Sequence, residues 1–261
     1  MAISTTRILV SNDDGISAKG IEILEKVARS LSDDVWVIAP ESEQSGAGHS
    51  LTLTTALRVR KLDDKKYAVA GTPTDCVMMA INKLMKDNLP TLILSGVNRG
   101  GNLAEHVTYS GTVSVAMEGT LGGIPSIALS QCIDGVHPIH WETAETYAEE
   151  VIKRLIAQDW QHDVLMNVNF PAVAPDQVKG IRVTEQGRRQ ILGVQVDERM
   201  DPRGFPYYWF GLASDSGVPG LETDLKSVRE GCISVTPLHL NLTHDDMRRA
   251  LAAEIQGPLA E

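Results

Sequence analysis

Two adjacent carboxylates, Asp13 and Asp14, follow the apolar run Ile8-Leu9-Val10 and are closed off by Gly15. Neighbouring acids at the end of a buried strand repel each other unless a cation lies between them. A hard divalent ion such as Mg²⁺ prefers oxygen donors of this kind. In an open α/β sheet, ligands gather just outside the carboxyl ends of the strands, where this pair falls if Ile8–Val10 is a strand. Taken alone, the stretch also reads as a solvated Asp-Asp-Gly turn. The chemistry therefore depends on what else reaches the same edge. Two other polar loops follow expected strands: Glu41–Ser50, which carries Ser45, Gly46 and His49, and Val97–Gly111, which carries Asn98 and Asn102. Asp13 and Asp14 with the neutral oxygens of Ser45 and Asn98 would roughly balance a divalent charge. Such a set leaves positions for water and substrate, as Mg²⁺ and Mn²⁺ sites do.

The run Tyr109-Ser110-Gly111-Thr112 opens a helix beside that edge. Backbone N–H groups at a helix N-terminus bind phosphate without lysine or arginine. Gly111 would let the backbone approach closely, Ser110 and Thr112 carry hydroxyls, and Asn102 carries a side-chain amide. In isolation this is also an ordinary Ser/Thr helix cap. A metal, acidic ligands and a phosphate cradle together imply phosphomonoester hydrolysis, with an activated water attacking phosphorus in line. Asp13 is the candidate catalytic group, as base, water-orienting ligand or nucleophile. Asn12, Gly46 and His49 complete the candidate substrate-contacting set. His106 also lies in an active-edge loop. His137 and His140, separated by Pro138, read as a surface loop, and Arg188-Arg189 as a surface charge pair.

The elements that must position these groups alternate. Strands are expected at Ile8–Val10, Val35–Ala39, Tyr67–Gly71, Thr91–Gly96, Pro125–Ser130 and Asp163–Asn169. Helices are expected at Ser17–Leu31, from Thr72-Pro73 onward, at Thr112–Leu121 and at Trp141–Ala157. Through Phe170 this order implies an α/β, Rossmann-like three-layer core with a mostly parallel sheet. After Pro171 short alternating pieces take over, at Ile181–Glu185, Ile191–Val196 and Gly231–Thr236, and a capped helix at Thr243–Ile255 ends the pattern. Phe205, Tyr207, Tyr208, Trp209 and Phe210 are five of the twelve aromatics of the chain. They predict a projecting hairpin that packs on a second subunit. The chain is thus read as one domain, with a catalytic core at 1–170 and a hairpin, oligomerisation segment and terminal helix at 171–261.

A net charge of −10, with 43% hydrophobic and 22% charged residues, describes a globular chain able to bury a sizeable core. It argues against nucleic-acid or membrane-surface binding, which needs a basic face, but not against small anions, since a metal supplies local positive charge. Cys76, Cys132 and Cys232 form no C-x-x-C pair, and Cys76 reads as core. The odd cysteine count and the lack of a leader-like or bilayer-spanning apolar run make a cytoplasmic location the expectation.

Five segments, ILVSNDDG (8–15), SGAGHS (45–50), GTPTDC (71–76), SGVNRGGN (95–102) and YSGTVSVAMEG (109–119), occur in this order and spacing. The chain resembles the SurE survival-protein family of metal-dependent acid phosphatases, or 5′-nucleotidases. The resemblance runs through essentially the whole length and is densest through Gly123. It implies a Rossmann-like core with a C-terminal hairpin and terminal segment exchanged between subunits in a homodimer or homotetramer. It implies one Mg²⁺ or Mn²⁺ per subunit on Asp13, Asp14, Ser45 and Asn98, and phosphate contacts from Asn102 and Ser110–Thr112. It also implies hydrolysis of nucleoside 5′-monophosphates, with 3′-nucleotides and short polyphosphate as further substrates of some members. The rival reading is a Mg²⁺-binding phospho-receiver domain, which also carries paired acids after its first strand. That module needs an aspartate after a central strand and a lysine after a later one. Here those positions hold Ser95-Gly96 and Cys132. A dinucleotide-dependent oxidoreductase fails because the first turn lacks G-x-G-x-x-G.

Overall fold

The computed structural model describes residues 6–189, 194–212 and 222–257. The chain begins with β1 (Arg7–Ser11), α1 (Lys19–Leu31) and β2 (Asp34–Pro40), then an edge pair, β3 (Val59–Asp63) and β4 (Lys66–Val69). Helix α2 (Pro73–Met79) follows and continues through a π turn at Ala80–Leu84. Next come β5 (Leu92–Arg99), a 3₁₀ turn (Ala104–Tyr109), α3 (Gly111–Leu121), β6 (Ser126–Gln131), α4 (Trp141–Ile156) and β7 (Val164–Phe170). The remainder supplies β8 (Ile181–Val183), β9 (Val194–Met200), β10 (Pro206–Leu212), α5 (Asp224–Arg229), β11 (Ile233–His239) and α6 (Asp245–Ile255). Of the short piece expected at 191–196, residues 191–193 lie outside the described residues.

Nine strands form one sheet in the order β3-β4-β2-β1-β5-β6-β7-β11-β8. From β4 to β7 every pairing is parallel. The chain moves outward from β1 to β2 and β4, then returns across β1 to add β5, β6 and β7. This reversal makes the carboxyl end of β1 a switch point, where an open α/β sheet leaves a crevice. Strand β11 enters antiparallel to β7, with β8 parallel beside it, so the sheet extends past Phe170 into the C-terminal part of the chain.

The strand period of two sorts the side chains of β1 to opposite faces. Ile8 and Val10 join Ile21 and Leu24 of α1 and Ala144 and Ala148 of α4. Leu9 joins Val77 of α2 and Val115 of α3 on the other face. The helical spacing of Ile21, Leu24, Val27, Ala28 and Leu31 has its expected result: all five are buried. Each large aliphatic buried in this way contributes about 1.5–3 kcal/mol. Cys76, Cys132 and Cys232 are buried free thiols.

The clearest departure from the sequence reading is at β5. It was expected to end at Gly96, yet the strand runs on to Arg99. Its register against β6 shifts between Ser95 and Asn98, and Gly96 sits at φ +125°. The glycine marks a bulge inside the strand rather than its end. The bulge carries Asn98 to the rim of the sheet. β9 and β10 pair antiparallel as a two-stranded ribbon separate from the main sheet. On it Phe205, Trp209 and Phe210 are 66%, 60% and 77% exposed. No helix among the described residues is long and apolar enough to cross a membrane.

Candidate active site at the carboxyl end of β1

Asp13 stands one residue beyond Asn12 at the end of β1 and is only 4% exposed. The turn that carries it is fixed locally. Asn12 Nδ2 donates to the Gly15 carbonyl at 2.9 Å, and the Ile16 N–H donates to the Pro40 carbonyl at 2.8 Å. Gly15 adopts φ +99°, a conformation that glycine supplies at little cost. Burial lifts the Asp13 carboxyl to a pKa of about 6, with a smaller push from Asp14. The hydroxyl of Thr112 and backbone N–H groups oppose the rise, and among the described residues no cationic side chain does. Asp14 is also raised, first by burial and then by the charge of Glu43. Its Oδ2 accepts from the Arg99 N–H at 3.0 Å.

The two neighbouring loops meet this turn through the backbone. Gln44 N–H donates to the Asp13 carbonyl at 2.8 Å, which brings the loop that carries Ser45, the next residue, to the turn of the acid pair. The Ser45 hydroxyl donates to Glu43 Oε1 at 2.9 Å. On the other side the Arg99–Asp14 bond brings the end of β5, and hence Asn98, to the same turn. Asn98 Nδ2 donates to the Gly100 carbonyl at 2.9 Å. The first turn of α1 abuts β5 here, since a Cβ on Gly20 would lie 1.7 Å from the Val97 carbonyl oxygen.

Helix α3 delivers the third group. Ser110 is its N-cap and accepts the Val113 N–H at 3.0 Å. Gly111 touches the acid pair directly: a Cβ there would sit 2.7 Å from the Asp13 Cβ and 2.9 Å from the Pro73 Cγ. The buried Thr112 hydroxyl donates to Asp13 Oδ1. Its hydrogen is therefore committed to the carboxylate rather than offered to an external phosphate, as the sequence reading had it. Asn102, equally buried, gives one amide hydrogen to the Ser130 Oγ at 2.8 Å. Gly48 N–H donates to the Tyr109 carbonyl at 3.1 Å, and His49 Nε2 pairs with Glu118 Oε2 at 2.9 Å. The glycine-rich loop is thus tied to α3. His49 is turned to that helix, and Gly46 bends the loop at φ +81° with open space around it.

The segments that carry Asp13, Asp14, Ser45 and Asn98 and the N-terminus of α3 thus border one cup at the sheet edge. Among the described residues no cluster of three or more His, Cys, Asp or Glu side chains could hold a metal. A cation at this edge would need neutral oxygens besides the two carboxylates. Such a set suits a hard divalent ion that keeps water ligands. The buried, unpartnered Asn12 Oδ1 adds a further acceptor beside the acid pair.

Two residues of this region were not singled out in the sequence, and a third, Arg189, lies in a different setting from its reading there. Glu43, two residues before Ser45, adds charge near Asp14. Asp224 reaches in from α5 to the backbone of Ala104. Arg189, read as half of a surface pair, is partly buried, with Nη1 donating to the Leu103 carbonyl at 3.2 Å. Burial and the Arg189 charge together hold the His106 imidazole below its ordinary pKa. By contrast, His137 and His140 pair with Asp134 and Glu142 on the surface.

Comparison with known proteins follows the same lines. A family model described as "Survival protein SurE" matches residues 8–192. "5'-nucleotidase SurE" of Paramagnetospirillum magneticum is 56% identical over 250 residues, 95% of this chain and 95% of that protein. The protein of the same description from Caulobacter vibrioides is 54% identical over 254 residues, covering 96% and 97%. Among solved structures, the SurE protein of Aquifex aeolicus superposes with a TM-score of 0.81 at 40% identity, over 95% of this chain and 98% of that one.

Proposed function

The chain belongs to the SurE survival-protein family, and from that premise we propose that it is a divalent-metal-dependent phosphomonoesterase that hydrolyses nucleoside 5′-monophosphates to nucleoside and phosphate. Asp13, Asp14, Ser45 and Asn98 would hold one Mg²⁺ or Mn²⁺, which when bound supplies Lewis acidity toward the phosphoryl oxygen and lowers the pKa of a water. The remaining work falls to the chain itself. The Gly111 N–H at the start of α3 would serve an anion there, whereas the Thr112 N–H, like its hydroxyl, is given to the Asp13 carboxylate. The Ser110 hydroxyl and the second amide hydrogen of Asn102 are the side-chain donors of that cradle. Thr112 holds one oxygen of Asp13, which leaves the other to orient the attacking water and take its proton. Asn12, Gly46 and His49 border the cup and shape the path of the substrate.

The observation that carries this reading is the contact of Gly111 with Asp13. A buried carboxylate with no cationic side-chain partner among the described residues is packed against the positive end of a helix, at a spacing only glycine permits. In this reading cation and phosphate would meet at one point. The exposed aromatic face of the β9–β10 ribbon supports a second part of the proposal: a homodimer or homotetramer in which this ribbon packs on another copy.

The test is a panel of nucleoside monophosphates assayed as purified, with EDTA, and after add-back of Mg²⁺ or Mn²⁺. Chelation is expected to abolish phosphate release and add-back to restore it, with Asp13→Asn folded and inactive. Turnover that survives chelation, or an active Asp13→Asn protein, would refute the assignment.

A further inference from the structure

The turn at Leu103–Glu105 is held by side chains that arrive from far along the chain. Ala104 is fully buried and, among the described residues, is the one non-glycine residue with a positive φ, +52°. L-residues resist that conformation because Cβ crowds the carbonyl that follows. Its N–H donates to Asp224 Oδ2 at 2.8 Å, and its carbonyl accepts from Gln186 Nε2 at 2.9 Å. The other oxygen of Asp224, Oδ1, accepts the N–H groups of Gly187 at 2.9 Å and Leu225 at 2.7 Å. Asp224 is itself completely buried. The turn separates the two halves of the candidate phosphate cradle. Asn102 lies just before it, and the 3₁₀ segment Ala104–Tyr109 runs from it directly into Ser110.

We infer that Asp224 is a positioning residue for phosphate binding: by fastening Ala104 in its left-handed conformation it sets the separation of Asn102 from the helix start at Ser110–Thr112. The inference rests on the reading of those residues as phosphate contacts. Asp224 touches neither substrate nor cation, and acts through the backbone of the turn. A purely structural carboxylate would support the fold without tuning phosphate affinity, so the two roles separate experimentally.

Asp224→Asn is the discriminating change. An amide oxygen still accepts from Gly187 and Leu225, but the amide NH₂ then faces the Ala104 N–H, donor against donor. The fastening fails while the start of α5, capped by Thr223, keeps its bonds. With Mn²⁺ present, KM for a nucleoside monophosphate is expected to rise about tenfold, and competitive inhibition by inorganic phosphate to weaken by a similar factor, as loss of one buried bond implies. The Mn²⁺ concentration for half-maximal activity is expected to stay within about twofold, because the acid pair is held by other groups. Adding Ala104→Gly to this variant is expected to recover most of the lost affinity, since glycine adopts positive φ without strain. Gln186→Ala removes only the bond to the Ala104 carbonyl, from an exposed residue, and is expected to raise KM about twofold. It keeps the inference testable if Asp224→Asn does not fold. Protection against thermal unfolding by Mn²⁺ plus inorganic phosphate reads binding without turnover. No phosphate protection of the wild-type protein strikes the reading of the cradle itself. Protection that persists unchanged in Asp224→Asn, an unchanged KM, or no recovery with Ala104→Gly overturns the role of Asp224.

Discussion

Replacing Gly111 by alanine tests the site at its tightest point. The new Cβ would lie 2.7 Å from the Asp13 Cβ, 2.9 Å from the Pro73 Cγ and 3.0 Å from Asp13 Oδ2. Carbon atoms in ordinary contact stand about 3.5–4.0 Å apart, so helix α3 or the Asp13 turn must retreat by about 1 Å. Neither neighbour is the free end of a flexible side chain: Pro73 is a ring at the first position of α2, and the Asp13 Cβ is one bond from the backbone of β1. The stability effect is modest because two contributions oppose each other. Alanine is a better helix former than glycine by about 1 kcal/mol, whereas forcing atoms into a filled space costs about 1–3 kcal/mol. The net loss of about 0–2 kcal/mol lowers Tm by no more than about 8 °C. Catalysis is affected more, since a misplacement of about 1 Å costs on the order of 100-fold in rate. The expected result is a folded protein with kcat/KM for nucleoside monophosphate reduced about 100-fold and a raised Mn²⁺ requirement. The assay is phosphate release across a Mn²⁺ titration, paired with a thermal melt in EDTA. A variant within twofold of wild type in both kcat/KM and Mn²⁺ half-saturation would show that α3 and Asp13 do not act as one unit.

Two further predictions concern pH and assembly. The Asp13 carboxyl, raised from 3.8 to about 6, holds a proton in the folded protein that the unfolded chain releases. The cation-free protein is therefore expected to lose about 3 kcal/mol of stability as pH rises from about 4 through about 6. Mn²⁺ must displace that proton, so its affinity should fall by up to about tenfold per pH unit below pH 6, and Thr112→Val, which removes a bond that favours the charged form, should move this threshold upward. Calorimetric titration with Mn²⁺ and melts in EDTA at several pH values read both; a flat profile between about pH 4 and pH 7 contradicts the reasoning. For assembly, Trp209→Ser combined with Phe210→Ser should reduce the sedimenting mass of the particle, and an unchanged mass would remove the ribbon from the interface.

The course of the chain through Phe170 was legible because its strands are apolar runs and its helices repeat at helical spacing. Ile21, Leu24 and Val27 mark α1, and Thr72-Pro73 marks the start of α2, where Thr72 and Asp75 form a reciprocal cap. The continuation of β5 through Gly96 was not legible, because a glycine that ends a strand and one that bulges it look alike in sequence. The convergence of three loops followed from strand order, and the backbone bonds from Gln44 to Asp13 and from Arg99 to Asp14 agree with it. What sequence could not supply were partners more than eighty residues apart. Arg189 reads as exposed because a neighbouring arginine shares its stretch, yet it reaches the carbonyl of Leu103. Asp224 reads as one more acid at a helix start, since Thr223-Asp224 is an ordinary capping pair, yet its carboxylate serves the backbone of Ala104. Thr112 carries a hydroxyl as expected, but only the packing of α3 on β1 reveals that Asp13 receives it.

The late arrival of β11 between β7 and β8 has a consequence for how the protein is made. The strands that carry Asp13 and Asn98 are synthesised early, and the parallel sheet from β4 to β7 is complete once Phe170 has left the ribosome. The groups that fasten the Asn102–Glu105 turn come later: Asn167 and Asn169, then Gln186 and Arg189, and last Asp224. A nascent chain therefore holds its acidic pair well before it can fasten that turn. Fastening of the turn is therefore expected to be complete only when translation is nearly done, and a fragment that ends before Asp224 is expected to lack it.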